Sequence, residues 1–293
     1  MSDKRAHCVF GDLEPADCDP LHARIHILPL PYDITSTWRK GADRGPQAII
    51  EASRHMELYD IQTESEVYRR GIYTHPAPDL PEAPEAAVAF IRSKARAIVA
   101  QERFLVGLGG EHSVTIGLVQ ALVDKYPELS VLQLDAHSDL RNEYDGSRYN
   151  HACVMARIRE RCPIVQIGIR SMDLSEKQDL DPDRVVYAHQ VQQNFESVDD
   201  AISLLGDQVY LTIDLDVFDP AYMPSTGTPE PGGLDWYQVN RIIQKVAAQH
   251  NIVGMDVTEL LPNPQNPAPD FMAAKLIYRS LSMIMKEKEN GKK

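Results

Sequence analysis

Seven apolar runs of strand length, separated by longer amphipathic stretches, restrict the fold of this chain more than any other feature of its sequence. Near-continuous apolar strands that alternate with helices are typical of a mainly parallel sheet with helices on both faces. The sequence therefore predicts the α/β class. The seven runs begin at Arg24, Phe104, Val131, Pro163, Arg184, Val209 and Asn251.

Apolar residues recur with helical spacing in several of the intervening stretches. One of these opens with a Gly-Pro pair, and proline suits the first turn of a helix. The predicted helices begin near Gly45, Leu118, Tyr237 and Asp270.

A proline-rich stretch over 75–86 is either a surface connection or a domain linker. Because the same strand–helix pattern resumes after it, we predict a single domain over residues 1–293. Within it we expect a variable N-terminal extension over 1–23 and a frayed tail over 286–293.

Composition bounds the class of protein. The 293 residues, 43% of them hydrophobic, suffice for a large core. No apolar run is long enough to span a membrane. The N-terminus lacks the apolar segment of a secretory signal. The four cysteines show no CxxC spacing. We therefore expect a cytoplasmic protein with reduced thiols. The net charge of −13 argues against nucleic-acid binding, and it serves either solubility or the steering of a cationic substrate.

Polar side chains follow three of the predicted strands at the edge where open α/β sheets bind ligands. The stretch "VLQLDAHSDL" over 131–140 brings two carboxylates and an imidazole after one strand. Residues i and i+2 of a strand share a face, so we expect neighbouring ligands to project together, with Asp139 joining them if the loop stays extended. The six candidate ligands are His112, Asp135, His137, Asp139, Asp214 and Asp216.

This set predicts a metal centre, because buried carboxylates without a compensating charge are costly. Four carboxylates and two imidazoles exceed the needs of one ion, whereas two ions that share carboxylates would use them all. An oxygen-rich set without thiolates suits Mn²⁺ better than structural Zn²⁺. Alone, His112 would more simply be a helix cap or a satisfied core histidine, and Asp214 and Asp216 would more simply be helix caps or a solvated strand end. Three strand ends with complementary ligands favour the metal.

Five motifs in the same order resemble the ureohydrolase family, which contains arginases, agmatinases and related guanidino hydrolases. The resemblance covers about residues 28–285. The motifs are "LPYDITSTWRKGADRGPQAIIEAS", "GGEHSVT", "DAHSDL", "TIDLDVFDPAYMPSTGTPEPGGL" and "VTELLP".

The resemblance implies a three-layer α/β/α fold around a mostly parallel, eight-stranded sheet. It implies two Mn²⁺ per subunit on the six ligands named above, and a homotrimer or a hexamer of two trimers. The implied reaction is hydrolysis of a guanidino group to urea and an amine, closest to the agmatinase reaction, in which agmatine gives putrescine and urea.

Two further residues are candidates for catalysis. A guanidinium is a planar cation that a carboxylate can hold by paired hydrogen bonds, and Glu259 in "VTELLP" is predicted to do so. Expulsion of an amine requires a proton, and His151 is predicted to shuttle it. The simpler alternatives are a surface carboxylate for Glu259 and a helix-start residue for His151. Glu111, next to a ligand, is expected to accept a hydrogen bond behind the metal shell.

The sequence of the loop before His151 predicts which chemical group the substrate carries at the end away from its guanidino group. Arginases hold the α-carboxylate with a Thr, Ser and Asn run in this interval, but Asp145 and Tyr149 stand where the Thr and the Asn would be. Ser171 stands where an Asp would hold the α-amino group. Glu143 and Asp145 make the loop acidic, so we expect them to contact a cationic end, and agmatine or its N-aminopropyl derivative to be preferred over arginine.

Several alternatives stay open. Other guanidino substrates are N1-aminopropylagmatine, guanidinobutyrate, guanidine and arginine. A different class is a two-metal hydrolase of a phosphoester, for which Arg141 and Arg148 would supply cations. A third is a metal-free homologue that acts as a scaffold.

Overall fold

One sheet of eight parallel strands forms the centre of the molecule, in the order β2-β1-β3-β8-β7-β4-β5-β6. This computed structural model describes residues 10–289 and residue 291. The strands are β1 Ile25–Leu30, β2 Ile72–Thr74, β3 Phe104–Gly109, β4 Leu129–Leu134, β5 Ile164–Ile169, β6 Val185–Tyr187, β7 Gln208–Asp214 and β8 Asn251–Thr258.

Helices cover both faces of the sheet. Along β3, Val106 and Leu108 belong to the core on one face, and Leu105 belongs to the core on the other. The first core is completed by α1, α5, α6, α7 and α8, and the second by α2, α3 and α4. This confirms the predicted α/β/α layers. The helices are α1 Gly45–Ser53, α2 Pro84–Val99, α3 Val114–Val123, α4 Val154–Ile158, α5 Ala188–Gln193, α6 Glu196–Ser203, α7 Trp236–Gln249 and α8 Ala268–Glu289.

Five elements were not predicted, namely β2, α2, α4, α5 and α6. Strand β2 has only three residues, too few to show a periodic pattern. Helix α2 begins at Pro84, within the proline-rich stretch, so 75–86 contains both a connection and the first turn of a helix. Among the described residues, no helix combines the length and the apolar character needed to cross a membrane.

The described parts of both predicted terminal segments pack on the domain. Phe10 is buried, and its N–H donates to Thr74 Oγ1 at 3.3 Å. Helix α8 continues to Glu289, and Lys286 Nζ donates to the Thr63 carbonyl at 2.8 Å. The prediction of a frayed tail is therefore wrong for 286–289. The rest of that tail, apart from residue 291, and residues 1–9 lie outside the described residues.

The cysteines correct a second expectation. Cys153 and Cys162 are buried free thiols, and burial raises the pKa of Cys153 to about 11 and that of Cys162 to about 12. Cys18, by contrast, is disulfide-bonded, so the prediction of reduced thiols is wrong for this residue.

The strand order creates a site at the centre of the sheet. β3 and β4 follow one another among the strands of the chain, yet β8 and β7 lie between them. The carboxyl ends of these four parallel strands therefore meet at one edge, where the strand order reverses, and such edges bind ligands in open α/β sheets.

Candidate functional site

The polar residues converge by a different route from the one predicted. β4 ends at Leu134, before Asp135 and His137, and Asp216 lies in a 3₁₀ turn after β7. The expected i, i+2 alternation along a strand is therefore wrong. Tight turns bring the residues together instead, because Asp135 Oδ1 accepts the His137 N–H at 2.5 Å and Asp214 Oδ1 accepts the Asp216 N–H at 2.9 Å.

Asp139 joins the cluster through a reversal of the backbone. Its φ of 53° is left-handed rather than extended, a conformation that Asp tolerates better than most residues. The expectation of an extended loop is therefore wrong. The reversal brings Asp139 Oδ2 to 3.0 Å from His112 Nδ1.

His112 Nδ1 lies at the centre of the first group of acidic oxygens. Asp135 Oδ2 is 3.1 Å away and Asp214 Oδ2 is 3.5 Å away, in addition to Asp139. The other ring nitrogen, Nε2, is 2.9 Å from Thr212 Oγ1. The hydroxyl of Thr212 donates its hydrogen bond to Asp256. Nε2 must therefore be protonated and donate in the hydrogen bond with Thr212. The buried Nδ1 faces these three carboxylate oxygens, and a nitrogen in this position calls for a proton or a metal cation.

A second group shares one residue with the first. His137 Nδ1 lies 2.9 Å from Asp216 Oδ2 and 3.7 Å from Asp135 Oδ1. In each of the two groups, one potential ligand atom from every residue lies within 4.8 Å of the others, and Asp135 belongs to both. The donor set therefore fits two cations with a shared carboxylate. The groups are His112, Asp135, Asp139 and Asp135, His137, Asp216.

The electrostatics of the cluster also call for positive charge. Burial and the charge of Asp135 raise the pKa of Asp139 to about 7. Burial and Asp216 raise the pKa of Asp214 well above its usual value. Burial opposes charge on Asp135, but hydrogen bonds with His112 and His137 lower its pKa overall. The buried carboxylates thus compete for too little positive charge, a deficit that metal ions would remove.

A cavity of about 260 Å³ opens beside the cluster and includes both predicted catalytic residues. Glu259 follows β8 in a left-handed conformation (φ 68°), and its Oε1 accepts the His112 N–H at 2.7 Å. It is buried, which raises its pKa well above the usual value, with Glu111 adding repulsion. The alternative of a surface carboxylate is therefore wrong.

His151 is the first residue of a short 3₁₀ helix, as its simpler alternative required, yet it also lines the cavity. The preceding Asn150 caps this turn by accepting the Ala152 N–H at 3.0 Å. Burial, followed by the charge of His137, lowers the pKa of His151 to about 4. The imidazole is therefore neutral near pH 7 and available as a proton acceptor.

The structure does not bring Glu143 and Asp145 to this cavity, so their predicted contact with substrate is not supported. Asp145 and Gly146 both have positive φ and form the tip of a turn in which Tyr144 and Ser147 exchange backbone hydrogen bonds. Such a two-residue turn leaves its tip in solvent. Asp145 and Glu143 are exposed, and Tyr144 lines the cavity.

Other acidic residues lie where the loop was expected to be. Asp173 and Glu176, from the segment after β5, line the cavity together with Arg141. Glu176 is buried and accepts the Leu140 N–H at 3.1 Å, whereas the side chain of Asp173 is 46% exposed. The prediction for this segment rested on Ser171, whereas its acidic residue is Asp173, two positions further along the chain.

Four residues around the cluster were missed or misread. Thr212 and Asp256 orient His112, and Tyr210 also donates to Asp256, at 2.6 Å. Their sequence signal was a polar residue inside an apolar strand. Glu111 accepts hydrogen bonds as expected, but none of its donors is one of the six candidate ligands. Its carboxylate instead accepts hydrogen bonds from the loop that contains Thr35.

Comparison with known proteins agrees with this geometry. The sequence model of the arginase family matches residues 23–282. An N(1)-aminopropylagmatine ureohydrolase of Thermus thermophilus is 38% identical over 282 residues, 94% of each chain. An agmatinase of Pyrococcus horikoshii is 33% identical over 93% of this chain and 96% of its own. The crystal structure of agmatine ureohydrolase of Thermoplasma volcanium matches with a TM-score of 0.84 at 31% identity, over 94% of this chain and 95% of that one.

The matched range includes all eight strands and every residue of the two ligand groups. The motifs, the parallel sheet and the relatives thus agree over nearly the whole chain. The protein belongs to the arginase family of ureohydrolases and is a hydrolase.

Proposed function

We propose that the protein hydrolyses the guanidino group of an amine-terminated, agmatine-type substrate to urea and an amine, with two Mn²⁺ ions. The observation that carries the proposal is the position of Asp135 in both groups of potential ligands. The cavity beside them contains a carboxylate for the guanidinium and an imidazole for the proton.

His112, Asp135, His137, Asp139, Asp214 and Asp216 would hold the ions. The oxygen-rich donor set supports Mn²⁺, since structural Zn²⁺ sites are dominated by thiolate and imidazole. When bound, the ions would acidify water and so supply a nucleophile near neutral pH.

Glu259 would orient the guanidinium. The His112 N–H donates to its Oε1. Gly227 also lines the cavity, and a Cβ atom added at Gly227 would lie 3.8 Å from Oε2 of Glu259. Oε2 is therefore on the side of the cavity and free to accept a guanidinium N–H. His151 would accept a proton as water attacks the guanidino carbon. It would return that proton to the amine nitrogen as the C–N bond breaks.

The more exposed part of the cavity supports an amine at the far end of the substrate. Arg141 Nε lies 3.3 Å from Glu176 Oε1, and the guanidinium of Arg141 stacks 4.5 Å from the ring of Tyr144. The charge of Arg141 is therefore offset by an acid within the protein. Asp173 offers a carboxylate to a cation, whereas the ring of Trp38 already lies 5.0 Å from the guanidinium of Arg39, which also lines the cavity.

The relatives support a choice between two amines. Three of them, 37–38% identical, are named N(1)-aminopropylagmatine ureohydrolases, whereas the agmatinase above is 33% identical. A longer amine would also reach the exposed Asp173. We therefore propose N1-aminopropylagmatine as the better substrate, with agmatine second.

Both amines should be cleaved with at least about a hundredfold higher kcat/KM than arginine, because a carboxylate beside Asp173 and Glu176 would be repelled. Urea release should be measured for all three substrates on one Mn²⁺-loaded preparation. Arginine equal to either amine would contradict this account of the cavity.

Metal affinity should fall as the pH falls below about 7. Without ions, the pKa of Asp139 is raised to about 7, so this carboxyl group holds a proton below that pH, and a cation must displace it. The pKa of Asp214 is raised in the same direction. Each displaced proton weakens binding by about tenfold per pH unit below the pKa. Equilibrium dialysis against Mn²⁺ at pH 8, 7 and 6 and at constant ionic strength measures this, and equal dissociation constants would contradict it.

A phosphoester substrate is less well supported. A phosphate would need free cations beside the metals. Arg141 is paired with Glu176, and Arg148 lies 2.9 Å from Glu160 and does not line the cavity. Arg39 does line the cavity, but its guanidinium lies over the ring of Trp38.

The assembly remains part of the proposal. A homotrimer or a hexamer of two trimers is what the resemblance implies, and native mass spectrometry would distinguish the two.

A further inference from the structure

Glu111 has a buried carboxylate that takes no part in the ligand groups or in the cavity wall. It accepts four hydrogen bonds: from Ser113 Oγ at 2.6 Å, from the Ser36 N–H at 3.0 Å, and from both the N–H and the hydroxyl of Thr35 at 2.6 Å. Three of the four donors belong to the loop after β1. Such a saturated carboxylate fixes the position of that loop.

The hydroxyl of Thr35 connects this carboxylate to His151. Its oxygen accepts the His151 N–H at 2.9 Å and lies 3.3 Å from His151 Nδ1. A threonine hydroxyl has one hydrogen, and a carboxylate can only accept. Because that hydrogen goes to Glu111, the contact with Nδ1 is a hydrogen bond only if Nδ1 is the donor.

The direction of this bond selects the tautomer. A neutral imidazole carries one hydrogen, so a hydrogen on Nδ1 leaves the lone pair on Nε2. The hydrogen bond that Thr35 Oγ1 accepts from the backbone N–H of His151 adds a second constraint. It holds the start of the 3₁₀ turn against the loop that contains Thr35.

We propose that Thr35 is a positioning residue for catalysis, which holds His151 in the Nδ1–H tautomer through the chain Glu111–Thr35–His151. This inference rests on the proposed function, because it concerns the proton that His151 moves. Nε2 accepts a proton from the attacking water as the C–O bond forms, and it gives that proton to the amine nitrogen as the C–N bond breaks. Thr35 itself gains and loses no proton.

The test is a double-mutant cycle with a conservative control. Thr35→Val keeps the shape but removes the hydroxyl, and it should lower kcat for N1-aminopropylagmatine or agmatine by about ten- to a hundredfold. KM and Mn²⁺ content should stay within about twofold of wild type. Thr35→Ser retains the hydroxyl and should recover most of the rate.

His151→Ala alone should lower kcat by about a hundredfold without loss of metal. Thr35→Val added to His151→Ala should then have almost no further effect, since residues that act as one unit are not additive.

Three outcomes would overturn the inference. The first is additive losses in the double variant, which would mean that Thr35 acts independently of His151. The second is a Thr35→Ser variant as slow as Thr35→Val, which would mean that the hydroxyl is not the cause. The third is parallel loss of metal or of the cooperative thermal transition in Thr35→Val, which would indicate a structural role. Failure of the proposed function is distinguishable, because the wild-type protein would then release no urea from any of the substrates.

Discussion

Replacing Asp135 with asparagine is expected to remove most of the bound metal and to lower kcat/KM by at least about a thousandfold. Asp135 is the one residue common to both ligand groups, so the change weakens both proposed ions at once. The amide is neutral, and the lost metal catalysis corresponds to several kcal/mol of transition-state stabilisation. Metal content by mass spectrometry and urea release should be measured on the same preparation.

The matched control is Asp207→Asn. Asp207 is an exposed carboxylate directly before β7, at the opposite edge of the sheet from the cluster. The control should keep both metal and activity. A metal-depleted Asp135→Asn variant with wild-type turnover would show that catalysis does not depend on the cluster.

Glu259→Gln should lower kcat/KM by about 10²–10³-fold while the metals stay bound. The glutamine oxygen can still accept the His112 N–H, so the local structure should persist. The amide NH₂ group then takes the place of Oε2 and meets the N–H donors of the guanidinium. Loss of an ionic hydrogen-bonded pair to a buried charge costs about 2–4 kcal/mol.

Glu143→Gln is the control for this prediction. Glu143 is exposed and does not line the cavity, so the variant should have wild-type kinetics for both amines and for arginine. Equal losses in Glu143→Gln and Glu259→Gln would indicate a general effect of negative charge. Unchanged kinetics in Glu259→Gln would exclude its proposed role.

The central part of the fold was predictable because its physics is local and repeated. An apolar run such as the one after Phe104 must be buried on both faces, so helices have to cover it twice. The position of β8 between β3 and β7 did not follow from the residues alone, because strand order is set by packing over the whole chain. β2, with three residues, carries too little pattern to be recognised.

The residues that form the site could be predicted from the sequence, but their arrangement could not. Residue types at strand ends identified the acidic cluster and His112. The turns that join Asp214 to Asp216 and the left-handed backbone of Asp139 depend on tertiary contacts that no periodicity encodes. The acidic loop was misassigned for the same reason, because the turn at Asp145 and Gly146 directs its tip to solvent.

The role of Thr35 shows a further limit of sequence reasoning. Thr35 and His151 are separated by 116 positions, and their contact depends on Glu111 from a third segment. The "LPYDITSTWRKG" stretch was recognised as a motif, yet its function becomes apparent only when its hydrogen bonds are followed in space.

Titration of the metal-free protein with Mn²⁺, with urea release measured at each step, shows directly whether turnover depends on two bound ions. N1-aminopropylagmatine and agmatine should be the substrates, at pH 8, above the pKa of about 7 of Asp139. The account predicts no detectable turnover without metal and a rate that rises to a plateau at two Mn²⁺ per chain. Full activity in the metal-free protein, or a fully loaded protein that releases no urea from either amine, would contradict it.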